Sequence, residues 1–287
     1  MIGTEQSEAS QGVRWLDTAL IAYGRAREHP AKIRIVRWLV RALSAGRIRV
    51  RYARGVTIAI DPSDYIGWAI FKTGHYEPAS LALALRIMDD EPGLFVDVGA
   101  NFGWYTCAIG AMAGASVISI EPDGETCALL RENIDLNKLR NFIVYNGAAG
   151  AGFDMVRMAR KSPANSGTNA ILSADEDASG ACWVATVPLE TLLEKLLRTP
   201  ARPVLIKIDV EGFERQVLDG LDLSGPFRPK NILLEFNRVL SAATWGSFAN
   251  LKAFFESKGY ELLDVFGRPC RDDGPFPEDN VWARERS

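Results

Sequence analysis

The feature that most constrains the fold is a short apolar run that ends in a glycine-containing turn. The run, residues 95–98, includes Asp97; Gly99 and Gly103 follow it, and a helical pattern begins at Trp104. This order predicts a strand, a tight turn and a helix. Glycine suits the turn because it bends freely and, having no Cβ, lets a ligand approach the backbone. The first amides of the helix would then point to a ligand above the carboxyl end of a parallel sheet.

The residues around this turn indicate which cofactor it suits. Asn101 lies where the dinucleotide fingerprint G-x-G-x-x-G has its middle glycine, so the spacing does not match a pyrophosphate site. Asp97 precedes the turn, while Glu121 ends the next apolar run and is followed by Pro122. Carboxylates at two neighbouring strand tips suit a cofactor that carries ammonium and hydroxyl groups. The carboxylate at the second tip, Glu121, is placed to accept hydrogen bonds from two ribose hydroxyls. The pattern predicts a site for S-adenosylmethionine (SAM); the alternative is an α/β turn with no ligand.

Composition narrows the class of protein. The chain has 287 residues, 47% of them hydrophobic and 24% charged, which is ordinary for a globular protein with a full core. A net charge of −3 gives no overall attraction to nucleic acid, and we expect no nucleic-acid partner. The four cysteines include no C-x-x-C pair, which argues against a zinc site or a disulfide framework. Because the first residues are polar and no apolar run is long, we expect a cytoplasmic protein.

One part of the chain is strongly basic. Ten lysines and arginines lie between Ile21 and Arg54, opposed there only by Glu28. Helical spacing places two sets of side chains on different faces: Val36, Leu39, Val40 and Leu43 on one, and Arg34, Arg37 and Arg41 on the other. Two interpretations are open: a helix packed on the main domain with a solvated outer face, or peripheral contact with an anionic membrane or substrate through residues 21–54.

After residue 90 the strand and helix patterns alternate, which predicts a mostly parallel sheet with helices on both faces. The strand candidates are residues 94–98, 116–121, 141–146, 203–209, 231–236, 260–266 and 279–284. The helices between them are 103–113, 123–137, 188–198, 212–220 and 246–258. A short connection joins the last two strands, which predicts an antiparallel pair at one edge of the sheet.

Three further segments lie outside this alternation. Residues 12–45 read as one or two helices broken near Pro30, residues 47–61 as a β-hairpin, and residues 64–90 as helix interrupted near Gly74. Residues 147–187 interrupt the alternation itself. We interpret them as a flexible excursion with a β-hairpin over the carboxyl edge of the sheet, either a functional lid or disorder.

A second motif places two acids after another apolar run. Asp209 and Glu211 follow residues 204–208, where a parallel sheet binds its ligands. Carboxylates there can accept a substrate proton, orient a hydroxyl or hold a metal; alternatively, both acids cap the following helix. Glu235 and Asn237 end the next strand and could form an oxygen cage for Mg²⁺ with Asp209. Because polar strand tips are common, we assign no metal.

Together these motifs resemble the FkbM family of SAM-dependent methyltransferases. The resemblance rests on GHYEP at 74–78, VDVGANFG at 96–103, IEPD at 120–123, IKIDVEGFE at 206–214, LLEF at 233–236 and NVWA at 280–283. It covers about residues 56–284, and IKIDVEGFE is its most specific part. It implies the class I methyltransferase fold: a Rossmann-like α/β fold with a mostly parallel seven-stranded sheet, helices on both faces and one antiparallel edge strand. It also implies O-methylation of a hydroxyl on a sugar, glycan or secondary metabolite.

The resemblance also implies which residues form the site. Cofactor contacts are expected from Asp97, Gly99, Asn101 and Gly103 along the methionine part of SAM, from Glu121 on the ribose, from Asn146 and Ala148 beside the adenine, and from Thr106 and Glu77. The resemblance does not settle which residue is the base. Asp209 or Glu211 is the catalytic candidate, with His75 in reserve because it lies close to another motif.

We predict two units, an N-terminal basic helical extension over residues 1–55 and a methyltransferase domain over residues 56–287 with a lid at 147–187. The expected partner is a small-molecule or glycan acceptor, and no oligomeric state is predicted. Two other functions are open: a nicotinamide-dependent oxidoreductase, and a non-catalytic binding module docked at an anionic membrane surface. The first would need a third glycine, which the turn lacks.

Overall fold

The computed structural model describes residues 14–26, 29, 31–44, 46–162, 165–172, 181–199, 201–237, 241–272 and 276–286. Several predictions fall partly outside these residues. They concern residues 1–13 of the extension, residues 163–164 and 173–180 of the lid, and Arg27, Glu28 and Pro30 of the basic run.

The N-terminal elements follow the predicted order. They are α1 (Trp15–Arg25), α2 (Lys32–Ser44), β1 (Ile48–Arg51), β2 (Thr57–Ile60), α3 (Tyr65–Thr73) and α4 (Pro78–Asp90), with β1 and β2 paired antiparallel. Helix α3 begins where the Asp64 carboxylate accepts hydrogen bonds from the amides of Ile66 and Gly67. It ends at Gly74, whose φ of +86° closes the helix in the left-handed region. The predicted interruption near Gly74 is therefore a true helix end.

The remaining elements build the main sheet and its covering helices. In chain order they are β3 (Leu94–Val98), α5 (Trp104–Gly110), β4 (Ser116–Ile120), α6 (Gly124–Leu136), β5 (Phe142–Tyr145), β6 (Ala148–Gly150), β7 (Asp154–Ser162), β8 (Asn165–Ile171), β9 (Cys182–Pro188), α7 (Leu189–Leu196), β10 (Pro203–Ile208), α8 (Glu214–Asp219), β11 (Asn231–Glu235), α9 (Ala242–Trp245), α10 (Phe248–Ser257), β12 (Tyr260–Asp264) and β13 (Asn280–Glu285). The seven predicted strands and five predicted helices of the alternating series are thereby confirmed.

The strand order of the main sheet determines where a ligand can bind. The order is β12-β13-β11-β10-β3-β4-β5. From β3 the chain builds outward to β4 and β5, and it then returns to place β10 and β11 on the other side of β3. In such a sheet, ligands bind at the carboxyl ends of the strands where the order reverses, here β3 and β10. The register places Lys207 of β10 beside Asp97 of β3.

The antiparallel strand pair at one edge is confirmed. Strand β13 runs antiparallel to both β11 and β12. It lies one position inside the edge, since β12 is the outermost strand. The sheet, with five adjacent parallel strands and helices on both faces, has the predicted class I methyltransferase architecture.

The excursion at 147–187 is more ordered than a loop with a hairpin. It forms a second sheet of four strands in the order β6-β9-β7-β8, which includes the predicted hairpin, β7–β8. Alternating side chains explain the additional pairing, because Met158 and Val184 are buried against Ala148 while Trp183 points to solvent. The sequence predicted one hairpin here, and the structure extends it to a four-stranded sheet by adding the pairing of β9 with β6.

The N-terminal helices share an apolar core with the main domain. Val36 and Val40 of α2 are buried in the same cluster as Phe95 of β3 and Trp104 of α5. Leu43 was expected on this face but is 51% exposed at the last turn of α2. The division into residues 1–55 and 56–287 stays a prediction. Among the described residues, no helix has the length and apolar character needed to cross a bilayer.

Candidate functional site

The predicted turn after β3 has the geometry that its glycines require. Gly99 has φ +82°, and a Cβ there would lie 1.8 Å from the carbonyl oxygen of Asp209, so only glycine fits. Gly103 has φ +93°. Asn101 is also left-handed, at φ +49°, and its own Oδ1 accepts a hydrogen bond of 2.8 Å from the amide of Phe102. Asparagine tolerates this region because its side chain can bond locally.

Asp97 lies at the end of β3 with its carboxylate fixed from below. Thr106 of α5 donates its hydroxyl to Asp97 Oδ2 at 2.7 Å, and the Thr106 hydroxyl lies 2.7 Å from that of Ser119. Burial raises the pKa of Asp97, while the neighbouring Lys207 ammonium opposes the shift. Asp97 lines the cleft above the sheet, but Thr106 does not. Thr106 therefore orients Asp97, and its own contact with the cofactor stays a prediction.

Glu121 ties the tips of β3 and β4 together. Its Oε2 accepts from the amide of Asn101 at 2.8 Å and its Oε1 from the amide of Asp123 at 2.9 Å. Burial raises the pKa of Glu121 to about 7. Ala148 lines the cleft as predicted; Asn146 does not, and instead donates Nδ2 to the Glu121 carbonyl at 2.8 Å. The carboxylate of Glu121 is thus held rigidly at the cleft wall.

A buried lysine links the two predicted motifs. Lys207 is 3% exposed, and its Nζ lies 2.5 Å from Asp209 Oδ2 and 4.6 Å from the centre of the Tyr105 ring. Tyr105 in turn donates its hydroxyl to Glu77 Oε2 at 2.8 Å. Although burial opposes the charge, the carboxylates of Asp209, Glu77 and Asp97 raise the pKa of Lys207, which stays an ammonium. Glu77 is therefore part of the support below the cleft and does not line it.

The second motif brings three acids together. Carboxylate oxygens of Asp209, Glu211 and Glu235 lie within 4.8 Å of one another. Burial and the charge of Asp209 raise the pKa of Glu235 strongly, so it carries a proton near neutral pH. These oxygens could also hold a cation, but exposed acids often cluster without one, and metal binding stays a hypothesis. Asn237, named in that hypothesis, has its Nδ2 3.5 Å from Asp279 Oδ2.

His75 lies apart from these residues. Its side chain is exposed and does not line the cleft, although the adjacent Tyr76 does. The Thr73 hydroxyl donates to the His75 carbonyl oxygen, and the Tyr76 carbonyl accepts from the indole of Trp104. The structure therefore brings Asp209 and Glu211 to the cleft but leaves His75 outside it.

The second sheet and α3 close the cleft from above. Ile66 of α3, Met158 of β7 and Ile171 of β8 line it opposite the strand tips. The cleft contains about 980 Å³ of atom-free space, part of it open to solvent. The predicted excursion thus acts as a wall of the site.

Sequence reasoning missed several residues of the cleft and its support. They are Ile66, Tyr76, Tyr105, Met158, Ile171 and Lys207. Lys207 had a signal, since it lies in the IKIDVEGFE motif two residues before Asp209 and so on the same face of the strand. Met158 and Ile171 had no such signal in the sequence. They lie more than 50 positions beyond the turn, and only the folding of the second sheet brings them to the cleft.

The hydrogen-bond acceptors and the apolar lining of the cleft suit SAM. The buried carboxylates of Asp97 and Glu121 can accept hydrogen bonds from ammonium and hydroxyl groups. The close approach at Gly99 leaves a cradle that a side chain would fill. Apolar walls such as Ala148 and Met158 can cover an adenine ring. The residues present therefore fit the cofactor.

The chain is similar to several solved structures at low sequence identity. PH0793 from Pyrococcus horikoshii is 16% identical, with 90% of this chain and 85% of that chain covered and a TM-score of 0.43. M. jannaschii TYW2 in complex with AdoMet is 13% identical, with 83% of each chain covered and a TM-score of 0.40. A TehB-like SAM-dependent methyltransferase from Corynebacterium glutamicum is 12% identical, covering 76% and 94% of the two chains, with a TM-score of 0.41. Because these scores are below 0.5, no conclusion is drawn from these similarities.

A comparison with curated protein sequences gave no significant match. The family model described as the methyltransferase FkbM domain, however, matches residues 97–262, which is more than half of the chain. The match includes the turn after β3, the tip of β4 and the whole IKIDVEGFE motif. It favours methyl transfer over the oxidoreductase alternative. The chain belongs to the FkbM methyltransferase family, and its cofactor is S-adenosylmethionine.

Proposed function

We propose that the protein methylates a hydroxyl oxygen of a small-molecule or glycan acceptor. The single observation that carries this proposal is the place of Asp209. Its carbonyl oxygen lies against Gly99 of the cofactor turn, and its carboxylate lines the same cleft. A base at that point is adjacent to both the cofactor turn and the open part of the cleft.

An alcohol needs such a base because its oxygen is a poor nucleophile while it keeps its proton. When bound, SAM supplies an electrophilic methyl carbon next to a sulfonium. The protein must hold the acceptor oxygen in line at about 3 Å and receive the hydroxyl proton. A general base of this kind contributes about 10²–10⁴-fold to the rate.

Lys207 and Glu235 prepare Asp209 for this role. The Lys207 ammonium holds one carboxylate oxygen of Asp209 at 2.5 Å and so fixes its position. Glu235 carries a proton near neutral pH and hydrogen-bonds to Asp209. Asp209 is also 23% exposed at its side chain, so an acceptor can reach it. Glu211, at φ +53° beside it, is the second candidate base.

The products of methyl transfer test the proposal. Purified protein is incubated with an extract of small molecules and isotopically labelled SAM, and the labelled products are identified by mass spectrometry. We expect a label on oxygen, with each hydroxyl consumed gaining the mass of one labelled methyl group and losing that of one hydrogen. A label found only on nitrogen or carbon would contradict O-methylation while leaving the family assignment intact.

A further inference from the structure

The outer face of α2 carries apolar and basic side chains together. It consists of Arg34, Ile35, Trp38 and Arg41, which we call the α2 outer face. All four are exposed, Trp38 by 67% of its surface. A helix that only packs on a domain normally presents polar residues to water. An exposed tryptophan and isoleucine beside two arginines are instead typical of a helix that lies in a membrane interface.

The inner residues of α2 show that this exposure is built into the fold. Val36 and Val40 are at most 2% exposed and anchor the helix in the core. Arg37 donates Nη2 to the Ser63 carbonyl at 3.0 Å and so turns its charge toward the domain. The orientation of α2 is therefore fixed, and the outer face stays on the surface.

Charge favours an anionic partner. Residues 1–55 contain eleven basic and four acidic side chains, a formal charge of +7, whereas the whole chain has −3. Several of these arginines are already paired, as Arg47 is with Glu132 and Arg54 with Asp89. Within the described part of the chain, Arg34 and Arg41 have no ion-pair or hydrogen-bond partner. Two uncompensated guanidinium groups thus flank Trp38.

We propose that the α2 outer face docks on an anionic lipid surface. The guanidinium groups of Arg34 and Arg41 would contact lipid phosphates, while the indole of Trp38 would occupy the headgroup level, where its ring and N–H are both accommodated. Ile35 would reach the start of the acyl chains. A lipid surface fits better than a nucleic acid, because the aliphatic side chain of Ile35 on the same face has no partner on a phosphate backbone.

This surface and the methyltransferase cleft belong to one packed body. A Cβ at Gly24 of α1 would lie 2.0 Å from the Phe71 ring of α3, which shows how closely the two helices pack. Arg25 donates Nε to the Phe71 carbonyl at 3.3 Å. The same α3 contributes Ile66 to the cleft wall. Docking through α2 would therefore hold the cleft at a fixed position relative to the membrane.

Vesicle co-sedimentation of the full chain tests the proposal. Vesicles of phosphatidylcholine alone are compared with vesicles that also contain phosphatidylglycerol. We expect binding only to the anionic vesicles, weakened by added salt. The double variant R34Q/R41Q should bind about 30-fold more weakly, because each arginine near an anionic surface contributes about 1 kcal/mol, or about fivefold.

Matched control variants distinguish docking through the α2 outer face from a general effect of lost charge or lost aromatic surface. R140Q/R198Q removes two exposed arginines elsewhere, and Trp183→Ala removes an equally exposed tryptophan from the second sheet. Both should bind vesicles as the unmodified protein does, whereas Trp38→Ala should bind several-fold more weakly. Thermal unfolding of each variant checks that it is folded. Failure of the full chain to bind anionic vesicles, or equal losses in the control variants, would overturn the proposal.

Discussion

Two sets of acids lie at the carboxyl edge of the sheet, and they are held in opposite ways. The turn acids, Asp97 and Glu121, accept hydrogen bonds from a threonine hydroxyl and from two backbone amides. The cluster acids, Asp209, Glu211 and Glu235, lie within 4.8 Å of one another, and the Lys207 ammonium lies 2.5 Å from Asp209.

This difference suits the turn acids to ligand binding and the cluster acids to proton transfer. An acid fixed by neutral donors keeps its position and acceptor capacity, as recognition of a ligand's ammonium and hydroxyl groups requires. Acids that face one another share protons, because ionising one raises the pKa of the next. Four variants test this contrast, from the largest expected effect to the smallest.

Gly99→Ala should disturb both sets at once, because Gly99 lies between them. Its Cβ would meet the Asp209 carbonyl at 1.8 Å, and φ of +82° is unfavourable for alanine. We expect loss of SAM binding in calorimetry and a destabilisation of about 3 kcal/mol or more. Gly152→Ala is the control, since nothing lies within 4 Å of its added Cβ. Normal SAM affinity in Gly99→Ala would contradict the described turn.

Lys207→Met should affect mainly the cluster acids. Removing the ammonium leaves Asp209 without its cationic partner, and breaking a buried ion pair costs about 3–5 kcal/mol. Because the Asp209 side chain is 23% exposed, we expect the lower end, about 3 kcal/mol, in urea unfolding. Lys195→Met, on the exposed surface of α7, should be close to neutral. A neutral Lys207→Met would show that Asp209 does not depend on this lysine.

Glu121→Gln should change the pH dependence of stability. Burial raises the pKa of Glu121 to about 7, above the value of about 4.3 in an unfolded chain. At a pH between these two pKa values, Glu121 keeps its proton in the folded state and has lost it in the unfolded state. Stability therefore falls as pH rises from about 4.3 to about 7, by at most about 1.4 kcal/mol per pH unit.

Urea unfolding at about pH 5 and about pH 7 measures this contribution. The fall in the free energy of unfolding between these two pH values should be smaller in Glu121→Gln than in the unmodified protein. Glu194→Gln, at an exposed position of α7, should leave the fall unchanged. Equal pH dependence in all three proteins would show that Glu121 is not protonated in the folded state.

Thr106→Val should have the smallest effect, confined to the turn acids. It removes the hydroxyl that donates to Asp97 at 2.7 Å and keeps the shape of the side chain. We expect SAM affinity to fall about tenfold, corresponding to about 1.4 kcal/mol for a lost hydrogen bond to a charged group. Thr18→Val, exposed on α1, is the control. Unchanged SAM affinity would show that Asp97 needs no support from Thr106.

The sequence predicted the main sheet well because each of its strands carries its own local signal. Strands β3 and β10 are apolar runs that end in acids, and both are followed by a glycine turn. Their neighbouring positions follow from the rules of parallel α/β topology. The amino-acid sequence alone was therefore enough to place Asp97, Gly99, Glu121 and Asp209 at one edge of the sheet.

The parts that the sequence did not predict depend on contacts between distant segments. Strand β6 has only three residues, and pairing with β9 decides its conformation more than its own composition does. The exposure of Leu43 depends on how α2 lies on the domain, which helical periodicity does not determine. The burial of Lys207 follows from coverage by Tyr105 and Glu77, on segments about 100 or more residues earlier in the chain.

The most direct test of the proposed chemistry is a paired measurement on Asp209→Asn, with Asp90→Asn on the exposed end of α4 as its control. SAM affinity is measured by calorimetry, and methyl transfer to an identified acceptor is measured in single turnovers. We predict SAM affinity within about twofold of the unmodified protein and a rate lower by about 10²–10⁴-fold. Full methyl transfer by Asp209→Asn, with SAM affinity intact, would contradict the assignment of Asp209 as the base.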